Sequence, residues 1–600
     1  MNVNDIKTPK DIKNLTYKEL EVLCKEIREH IIHAVSENGG HLSANLGAVE
    51  FSVALHYVFD SPHDKFIFDV GHQSYVHKIL TGRASQFDRL RKKNGLSGYI
   101  NYSESEHDVW EAGHSSTALS AAAGFLEAKE AGADIGEIIA VVGDGSIQNG
   151  LSFEGLNYIG SQKKQKAIII INDNDMSISK NVGRLAKSMN KIRIRKTYAF
   201  FKRVTPKWIH RIFRNLKDAL KIYVYGNNVF TAMDYKYYGP IDGNNLREVI
   251  RYFEFAKQTK SSVVLHLKTR KGKGYDYAEV DENGSWHGVS PFDIQTGKTK
   301  HPLGENEISW SAGISDMLIH AAKQNDHLRI ISPAMISGAA LETFKNLFPN
   351  RIIDVGIAEE HAVVMAAAMA RFQFIPIVSI YSTFLQRAYD QINHDVCRTN
   401  AHVIFLVDRA GLVPGDGSTH QGIFDVSCLS ALPNMVIVAP SDLTLAYQAL
   451  LFAVNHHGPV AIRYPKETTM KTAYMGNALQ LGKWIEELSL QAVNIITYGN
   501  DIPIYKEALK NRGVGLVNAL FIKPLDTVML DRLRGKKVII VEDVIKNGSL
   551  GAVISAYNSQ NQLEMIIQCH SIDDCYIETG TIRELKQELK LDVESILKKI

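Results

Sequence analysis

The amino-acid sequence predicts an α/β fold made of three domains, each with a parallel or mixed sheet. Short apolar runs rich in β-branched residues recur along the 600 residues, and helical patterns separate them. Such runs, when turn residues bound them, are typical of buried strands in parallel sheets. Because strand and helix alternate in every part of the chain, we expect repeated βαβ units throughout.

The strand-like runs fall into three blocks, which predict the domain boundaries. The first block covers residues 1–300 and ends in a polar linker, rich in Gly and Pro, at residues 281–306. The second covers residues 301–475 and the third covers residues 476–600. The predicted strands lie at residues 137–142, 167–171, 262–267, 351–355, 375–380, 403–407, 435–438, 460–465, 492–496 and 538–541.

Composition and charge are ordinary for a soluble protein, with 45% hydrophobic and 22% charged residues. The net charge of +3 gives no argument for nucleic acid, and the basic run at residues 187–221 is expected to be the solvated face of a helix. The N-terminus lacks the apolar core of a signal peptide, and no run is long enough to span a membrane. The five cysteines form no Cys-x-x-Cys pair. We therefore expect a cytoplasmic protein without nucleic-acid or membrane partners.

The motif richest in chemistry is Gly143-Asp144-Gly145, followed by Asn172-Asp173-Asn174. Each motif follows a predicted strand, and ligands bind where the carboxyl ends of parallel strands meet. Asp144 and Asn174 can therefore share one Mg²⁺, which prefers oxygen ligands, while the glycines let a diphosphate approach the backbone. A lone Gly-Asp-Gly is more often a turn. The spacing, the flanking strands and the second motif together favour a thiamine-diphosphate site.

Glu359 lies in Ile357-Ala358-Glu359-Glu360-His361, between a predicted strand and a small-residue helix at residues 362–370. A glutamate at a helix start interacts favourably with the helix dipole, and alone this explanation would be the better one. A thiamine enzyme, however, needs a glutamate that hydrogen-bonds the aminopyrimidine ring and promotes loss of the thiazolium proton. With the Gly-Asp-Gly motif present, we predict this role for Glu359.

Several histidines and two arginines are further candidates. One histidine beside a glycine is usually a loop residue, but five of them suggest a site that moves protons, although the chain has 22 histidines in all. Strand-end arginines either form structural salt bridges or, beside a cofactor, suit a phosphorylated substrate. The candidates are His41, His72, His114, His287 and His420, with Arg409 and Arg463 as the arginines.

At the level of whole motifs, nearly the entire chain resembles the 1-deoxy-D-xylulose-5-phosphate synthase family. The QRAYDQ and DRAG strings distinguish this family from ordinary transketolases and from pyruvate dehydrogenase subunits. The matching strings are GGHLSANLG (39–47), DVGHQSYVHKILTGR (69–83), ESEHDVWEAGHSST (104–117), GDGSIQNG (143–150), NDNDMSIS (172–179), YYGPIDG (237–243), KGKGY (271–275), IAEEHAV (357–363), YSTFLQRAYDQINHDV (381–396) and DRAGLVPGDGSTHQGIFD (408–425).

The resemblance implies a transketolase-like fold, with a diphosphate-binding domain, a pyrimidine-binding domain and a C-terminal domain, assembled as a homodimer. It also implies a thiamine-diphosphate-dependent transferase that condenses pyruvate with glyceraldehyde 3-phosphate and releases CO₂. The implied Mg²⁺ ligands are Asp144, Asn174 and the main chain at Met176. The implied cofactor contacts are His72, Gly113, His114, Ser115, Gly145, Ser146, Asn174, Tyr275, Glu359 and Phe384. The implied catalytic residues are Glu359, His41, His72, His287 and His420, and the implied substrate residues are Tyr381, Arg409, Asp416 and Arg463.

The chain also departs from the family pattern, away from the cofactor motifs. Tyr102, in Tyr99-Ile100-Asn101-Tyr102, stands where the family has the arginine of a Phe-Pro-x-Arg string. The other departures are Lys466-Glu467 in place of Arg-Gly, Gly338-Ala339-Ala340 in place of Gly-Ser-Gly, and Pro414-Gly415 in place of Gly-Ala. An arginine can contact a substrate anion and a tyrosine cannot carry that charge. Two alternatives therefore remain: a paralogue that acts on another acceptor, as a transketolase or acyloin synthase, or a cofactor-free regulatory paralogue.

Overall fold

Strands of the computed structural model form three main sheets, as the sequence predicts. The structure describes residues 2–174, 228–281 and 283–600, so the predicted basic helix at 187–221 and Met176 lie outside the described residues. The chain divides into two units, one of residues 1–90 with 95–301 and one of residues 91–94 with 302–600. The first unit holds one main sheet and the second holds two. The α/β class with parallel or mixed sheets is confirmed.

The sheet of the first unit has five parallel strands. Its central strand, Ala167–Asp173, is buried along its whole length, which explains the uninterrupted run of isoleucines. In spatial order the strands are Lys65–Phe68, Ile138–Gly143, Ala167–Asp173, Val263–Lys268 and Lys236–Asp242. A separate antiparallel pair joins Gly40–His41 to Gly288–Val289. The predicted linker at 281–306 therefore contributes a strand to the first unit rather than only connecting two domains.

Helices cover this sheet with amphipathic faces. In Leu246–Gln258 the buried residues recur at helical spacing, and the Asn245 side chain accepts a hydrogen bond from the Glu248 N–H at its start. The α-helices of the first unit are Tyr17–Asn38, Ser43–Gly47, Val49–Val58, Tyr75–Lys78, Ala118–Glu130, Gly150–Ser161, Val229–Ala232, Leu246–Gln258 and Asp276–Glu279. Shorter 3-10 or π segments are Val3–Asp5, Pro9–Ile12, Ile79–Arg83, Ala84–Arg89 and Ser146–Gln148.

The second unit contains a seven-stranded sheet and a five-stranded sheet. The larger sheet runs Ile352–Asp354, Leu328–Ser332, Ile375–Tyr381, Ile404–Asp408, Val460–Arg463, Val436–Val438 and Phe521–Lys523. Its last strand is antiparallel and comes from the predicted third block. The smaller sheet runs Ile485–Leu488, Gly515–Asn518, Val493–Thr497, Lys537–Ile545 and Ile566–Ile572, with only the first strand antiparallel. A two-stranded pair joins Glu307–Ser309 to Thr468–Met470.

One continuous hydrophobic core includes residues of both sheets of the second unit, from Trp310 to Met565. The α-helices are Trp310–Gln324, Glu342–Leu347, Glu359–Met369, Ser382–Leu385, Tyr389–Gln391, Asp425–Ser430, Leu443–Asn455, Asp501–Ala508, Thr527–Arg532, Leu550–Asn561, Ile582–Glu588 and Val593–Leu597. The 3-10 or π segments are Pro349–Arg351, Ala370–Phe372, Gln386–Ala388 and Ile392–Cys397. Among the helices that the structure describes, none has the length and apolar character that a membrane crossing requires.

Candidate active site

The predicted metal ligands follow two neighbouring strands of the first unit. Gly143 is in register with Asn172, so Asp144 and Asn174 come just beyond the same edge of the sheet. Asp144 is buried, and its N–H donates to the Asn172 carbonyl at 3.2 Å. The structure therefore brings one carboxylate and one amide oxygen to the carboxyl ends of adjacent parallel strands, where ligands bind in such sheets.

Structural contacts engage the other two residues of the asparagine motif. The Asn172 amide donates to Gln73 at 2.9 Å and accepts from the Thr269 hydroxyl at 2.6 Å. Asp173 lies 2.6 Å from His266 Nε2 and 3.1 Å from Lys268 Nζ. These contacts brace the sheet edge, and the assignment of Asn174 to the metal stays a prediction.

Two loops lie side by side next to this edge, and together they hold most of the predicted diphosphate contacts. The Gly113 N–H donates to the Val70 carbonyl at 2.8 Å, and Gly113 has a φ of +105°, which favours glycine. The Ser116 hydroxyl donates to the Ser146 carbonyl at 3.0 Å and so ties the 113–117 loop to the Gly-Asp-Gly loop. His114, Ser115 and Gly145 belong to these two loops. Glycine-rich loops at strand ends are suited to phosphate groups.

Three of the predicted histidines form one cluster in the first unit. The ring centroids of His41 and His72 are 5.5 Å apart, those of His41 and His287 are 5.7 Å apart, and those of His72 and His287 are 5.2 Å apart. The buried Asn45 amide donates to the carbonyls of both His41 and His72 at 2.7 Å, which fixes two of the three loops. Pairing of Gly40–His41 with Gly288–Val289 brings His287 alongside.

Burial keeps two of these histidines, His72 and His287, neutral near pH 7. Desolvation, with a smaller effect of Lys271, lowers the pKa of His72 to about 4. Desolvation also lowers the pKa of His287 well below its usual value, and Lys271 and the two other histidines act in the same direction. Each of these two rings, in its neutral form, has one nitrogen that donates and one that accepts.

Lys271 is a cation that interacts with Asp144, and the sequence patterns assigned it no role. Burial lowers the pKa of its ammonium to about 8, while Asp144 and Asp281 oppose that effect. The sequence does contain a signal for Lys271, which begins the Lys-Gly-Lys-Gly string just after strand Val263–Lys268. The neighbouring strand, Ala167–Asp173, is followed directly by Asn174. A cation at that edge suits a diphosphate.

Tyr275 is held by structural contacts. Its hydroxyl donates to the Ile294 carbonyl at 3.0 Å, and its ring packs against Trp286 and Phe292. Burial raises the pKa of Tyr275 to about 12. These contacts support the segment that carries His287.

In the second unit, Glu359 is the first residue of helix Glu359–Met369 and is only 3% exposed. Burial raises the pKa of Glu359 to about 7, although the Arg387 guanidinium, 3.6 Å from Oε2, acts in the opposite direction. Oε2 accepts no hydrogen bond from the described residues. A buried carboxyl oxygen without a donor is costly unless a ligand group meets it.

Four other predicted residues gather at one place in the second unit. The rings of Tyr381 and Phe384 stack at 5.5 Å, and the His420 ring meets the edge or face of Phe384 at 5.7 Å. The Arg409 guanidinium lies 4.0 Å from the Tyr381 ring centroid. Gly338 is required beside them, because a Cβ there would lie 2.0 Å from the Tyr381 hydroxyl.

Arg463 and Asp416 already have ionic partners. The buried Arg463 guanidinium donates to Asp425 at 2.8 and 3.3 Å, the arrangement expected of the structural salt bridge weighed above. Asp416 accepts from Arg91 at 2.6 Å and from Lys466 at 3.3 Å. Burial and the nearby Arg409 lower the pKa of Lys466 to about 8, and Asp416 opposes that effect.

The remaining departures from the family pattern include one exposed position and one half-buried position. Tyr102 is 53% exposed, and its backbone N–H donates to Glu111 at 3.1 Å. Glu467, in contrast, is half-buried and accepts from the Asn500 amide at 2.6 Å. The Gly415 carbonyl accepts from Arg91 at 3.2 Å.

Comparisons with known protein families cover most of the chain. A family model described as 1-deoxy-D-xylulose-5-phosphate synthase matches residues 3–269. The pyrimidine-binding domain of transketolase matches residues 306–471, and the transketolase C-terminal domain matches residues 482–596. The prediction of a transketolase-like fold is therefore confirmed.

Individual relatives match over the full length. A protein of Listeria innocua named 1-deoxy-D-xylulose-5-phosphate synthase is 42% identical, with 99% of this chain and 97% of the relative covered. A protein of the same name from a Geobacillus strain is 41% identical, with 100% and 98% covered. Among solved structures, the transketolase of Campylobacter jejuni is 18% identical, with 98% of this chain and 99% of that chain covered and a TM-score of 0.43.

Proposed function

Because this chain belongs to the 1-deoxy-D-xylulose-5-phosphate synthase family, we propose how its residues divide the work of that reaction. The activity is the thiamine-diphosphate-dependent condensation of pyruvate with glyceraldehyde 3-phosphate to 1-deoxy-D-xylulose 5-phosphate and CO₂. Nothing in the comparisons supports the alternatives of another acceptor or of a cofactor-free paralogue. The observation that carries the proposal is Glu359 at a strand-to-helix junction, a buried carboxyl whose Oε2 accepts no hydrogen bond from the described residues.

The residues present fit thiamine diphosphate. Glu359 Oε2 lacks a donor, as the contact with an aminopyrimidine nitrogen requires. Nδ1 of His72 and Nδ1 of His287 are likewise buried, with no hydrogen-bond partner among the described residues. Asp144 and Asn174 offer the oxygen donors that Mg²⁺ prefers, and Met176 stays a prediction because it lies outside the described residues.

The cofactor, when bound, supplies the electron sink for decarboxylation. Glu359 then exchanges a proton at Oε2, and its pKa of about 7 suits both directions of transfer near neutral pH. His72 and His287, neutral near pH 7, are proposed to donate or accept protons together with His41. His420, in the second unit, is proposed for the same kind of role. Asp144 and Asn174 would hold Mg²⁺, and the Lys271 ammonium would add a further positive charge for the diphosphate.

For the phosphorylated acceptor we propose Arg409 as the principal anchor. Its guanidinium is held over the Tyr381 ring, which fixes its plane, and Lys466 adds a second positive charge near Asp416. Arg463 is the weaker candidate, because Asp425 already neutralises it. Tyr381 and Asp416 are proposed to hold acceptor hydroxyls.

We also propose that two copies of the chain associate through helix Glu359–Met369 and the turn after it. The side chains of Val364, in this helix, and Phe372, in the turn after it, are 44% and 74% exposed. Large exposed apolar patches mark interaction surfaces. Light scattering should show a dimer for the wild type and a monomer for Phe372→Glu. The cytoplasmic location stays a prediction.

A thermal-shift measurement tests the cofactor assignment. Thiamine diphosphate with Mg²⁺ should raise the melting temperature, because a ligand that binds only the folded state stabilises it. Thiamine without the diphosphate is the matched control and should have a much smaller effect. No shift at saturating cofactor would contradict the proposal.

A further inference from the structure

Tyr99 makes a contact in this chain that the family pattern does not provide for. It stands at the phenylalanine of the Phe-Pro-x-Arg string, so this chain adds a hydroxyl at that position. The hydroxyl oxygen lies 3.4 Å from His41 Nε2, and the two rings meet edge to face at 5.2 Å. Tyr99 is only 4% exposed, so its hydroxyl faces the histidine cluster from within the fold.

The segment that carries Tyr99, residues 97–101, is held in place by a buried ionic network. Asp108 receives two hydrogen bonds from Arg83, at 2.7 and 2.8 Å, and one from His77 at 3.0 Å. Oδ2 of Asp108 also accepts from the Asn101 N–H at 3.2 Å. In the same way Glu104 pairs with Arg83 and accepts from the Ser97 N–H at 2.7 Å. Residues 97–101 are therefore anchored at both ends.

The same segment also lies against the loop of His72. A Cβ on Gly71 would lie 3.0 Å from the Ile100 N–H, so the two backbones approach closely where Gly71 has a φ of +84°. Tyr99 thus reaches His41 from a rigid support that also borders His72. A hydroxyl held in this way can orient a ring.

We propose that Tyr99 is a positioning residue for His41: its hydroxyl donates to Nε2 and keeps the ring in the tautomer that carries its proton on Nδ1. A phenol is a better donor than acceptor, and a neutral imidazole has one acceptor nitrogen. His72 and His287 pack against His41 in the same cluster, with ring centroids 5.5 and 5.7 Å from its own. The proposal deepens the function above, since the tautomer sets which nitrogen of His41 can donate during turnover.

Carbethoxylation of His41 tests the contact without using activity. The lone pair of a neutral imidazole nitrogen attacks a carbonyl carbon of diethyl pyrocarbonate and displaces ethyl carbonate, and a hydrogen bond at Nε2 occupies that lone pair. Site-resolved mass spectrometry of the full chain at pH 7 should show His41 reacting about three- to tenfold faster in Tyr99→Phe, the loss of one hydrogen bond. His33, which is exposed, should react at an unchanged rate. Equal rates at His41 in both proteins would overturn the proposal.

Kinetics then separates positioning from a general structural effect. Tyr99→Phe should lower kcat about three- to tenfold, at unchanged melting temperature, and should have no further effect in a His41→Asn background. Tyr158→Phe, which removes an exposed hydroxyl that donates to Glu127, is the control and should not change kcat. An equal loss of kcat in both backgrounds would show that Tyr99 acts independently of His41. If the wild type makes no 1-deoxy-D-xylulose 5-phosphate, the proposed function is wrong. The carbethoxylation result would still test the contact between Tyr99 and His41.

Discussion

Glu359→Gln should abolish most turnover and yet stabilise the cofactor-free protein above neutral pH. Burial raises the folded-state pKa of Glu359 to about 7 from its usual 4.5. The protonated carboxyl therefore contributes its full stability below the unfolded-state pKa of 4.5. That contribution is lost as the pH rises through the folded-state pKa of about 7. At about 1.4 kcal/mol per pKa unit, the loss by pH 8 is at most about 3.5 kcal/mol.

The glutamine variant keeps the shape of the neutral acid and cannot ionise, so it escapes this loss. Denaturant unfolding at pH 5 and pH 8 should show the variant gaining up to about 3 kcal/mol on the wild type as the pH rises. Turnover should fall about ten- to a hundredfold or more, because the variant loses one charge-assisted contact in the transition state. Glu360→Gln, on the adjacent residue, is the matched control for both assays. A parallel pH dependence in the variant and the wild type would refute the burial argument, and near-normal turnover would refute the catalytic role.

Four further predictions concern the metal and the acceptor. Asp144→Ala should weaken Mg²⁺-dependent binding of thiamine diphosphate in calorimetry, and unchanged affinity would mean that the metal sits elsewhere. Arg409→Ala should lower kcat/KM for glyceraldehyde 3-phosphate about ten- to a hundredfold while sparing unphosphorylated glyceraldehyde. Arg463→Ala should instead lower the free energy of unfolding by about 3–5 kcal/mol, because it leaves Asp425 buried without a partner. Its kcat/KM should change equally for the two aldehydes. Tyr102→Arg should raise turnover with the phosphorylated aldehyde if the missing arginine matters, and an unchanged rate would show that this chain compensates elsewhere.

The fold was largely predictable because its signal is local. Buried parallel strands need uninterrupted apolar runs, and runs such as 167–171 and 375–380 match the strands Ala167–Asp173 and Ile375–Tyr381 closely. The antiparallel strand Phe521–Lys523 was not predicted. It is three residues long and takes its place from packing in the seven-stranded sheet rather than from any pattern of its own.

The positions of candidate site residues were predictable where those residues directly follow a strand. They were harder to predict where they depend on contacts with other side chains. Asp144 and Asn174 could be brought together from the sheet rule alone. The clustering of His41, His72 and His287 depends on Asn45 and on a short strand within the predicted linker, neither of which has a sequence signature. The ion pair of Arg463 likewise depends on Asp425, which is distant in sequence.

The central claim is that this chain condenses pyruvate with glyceraldehyde 3-phosphate. The direct test incubates the purified protein with thiamine diphosphate, Mg²⁺, pyruvate and a panel of aldehydes, and identifies the products by mass. The account predicts 1-deoxy-D-xylulose 5-phosphate with one CO₂ per product, and a clear preference for the phosphorylated aldehyde over glyceraldehyde. Product with another acceptor only, or none although the cofactor binds, would contradict it.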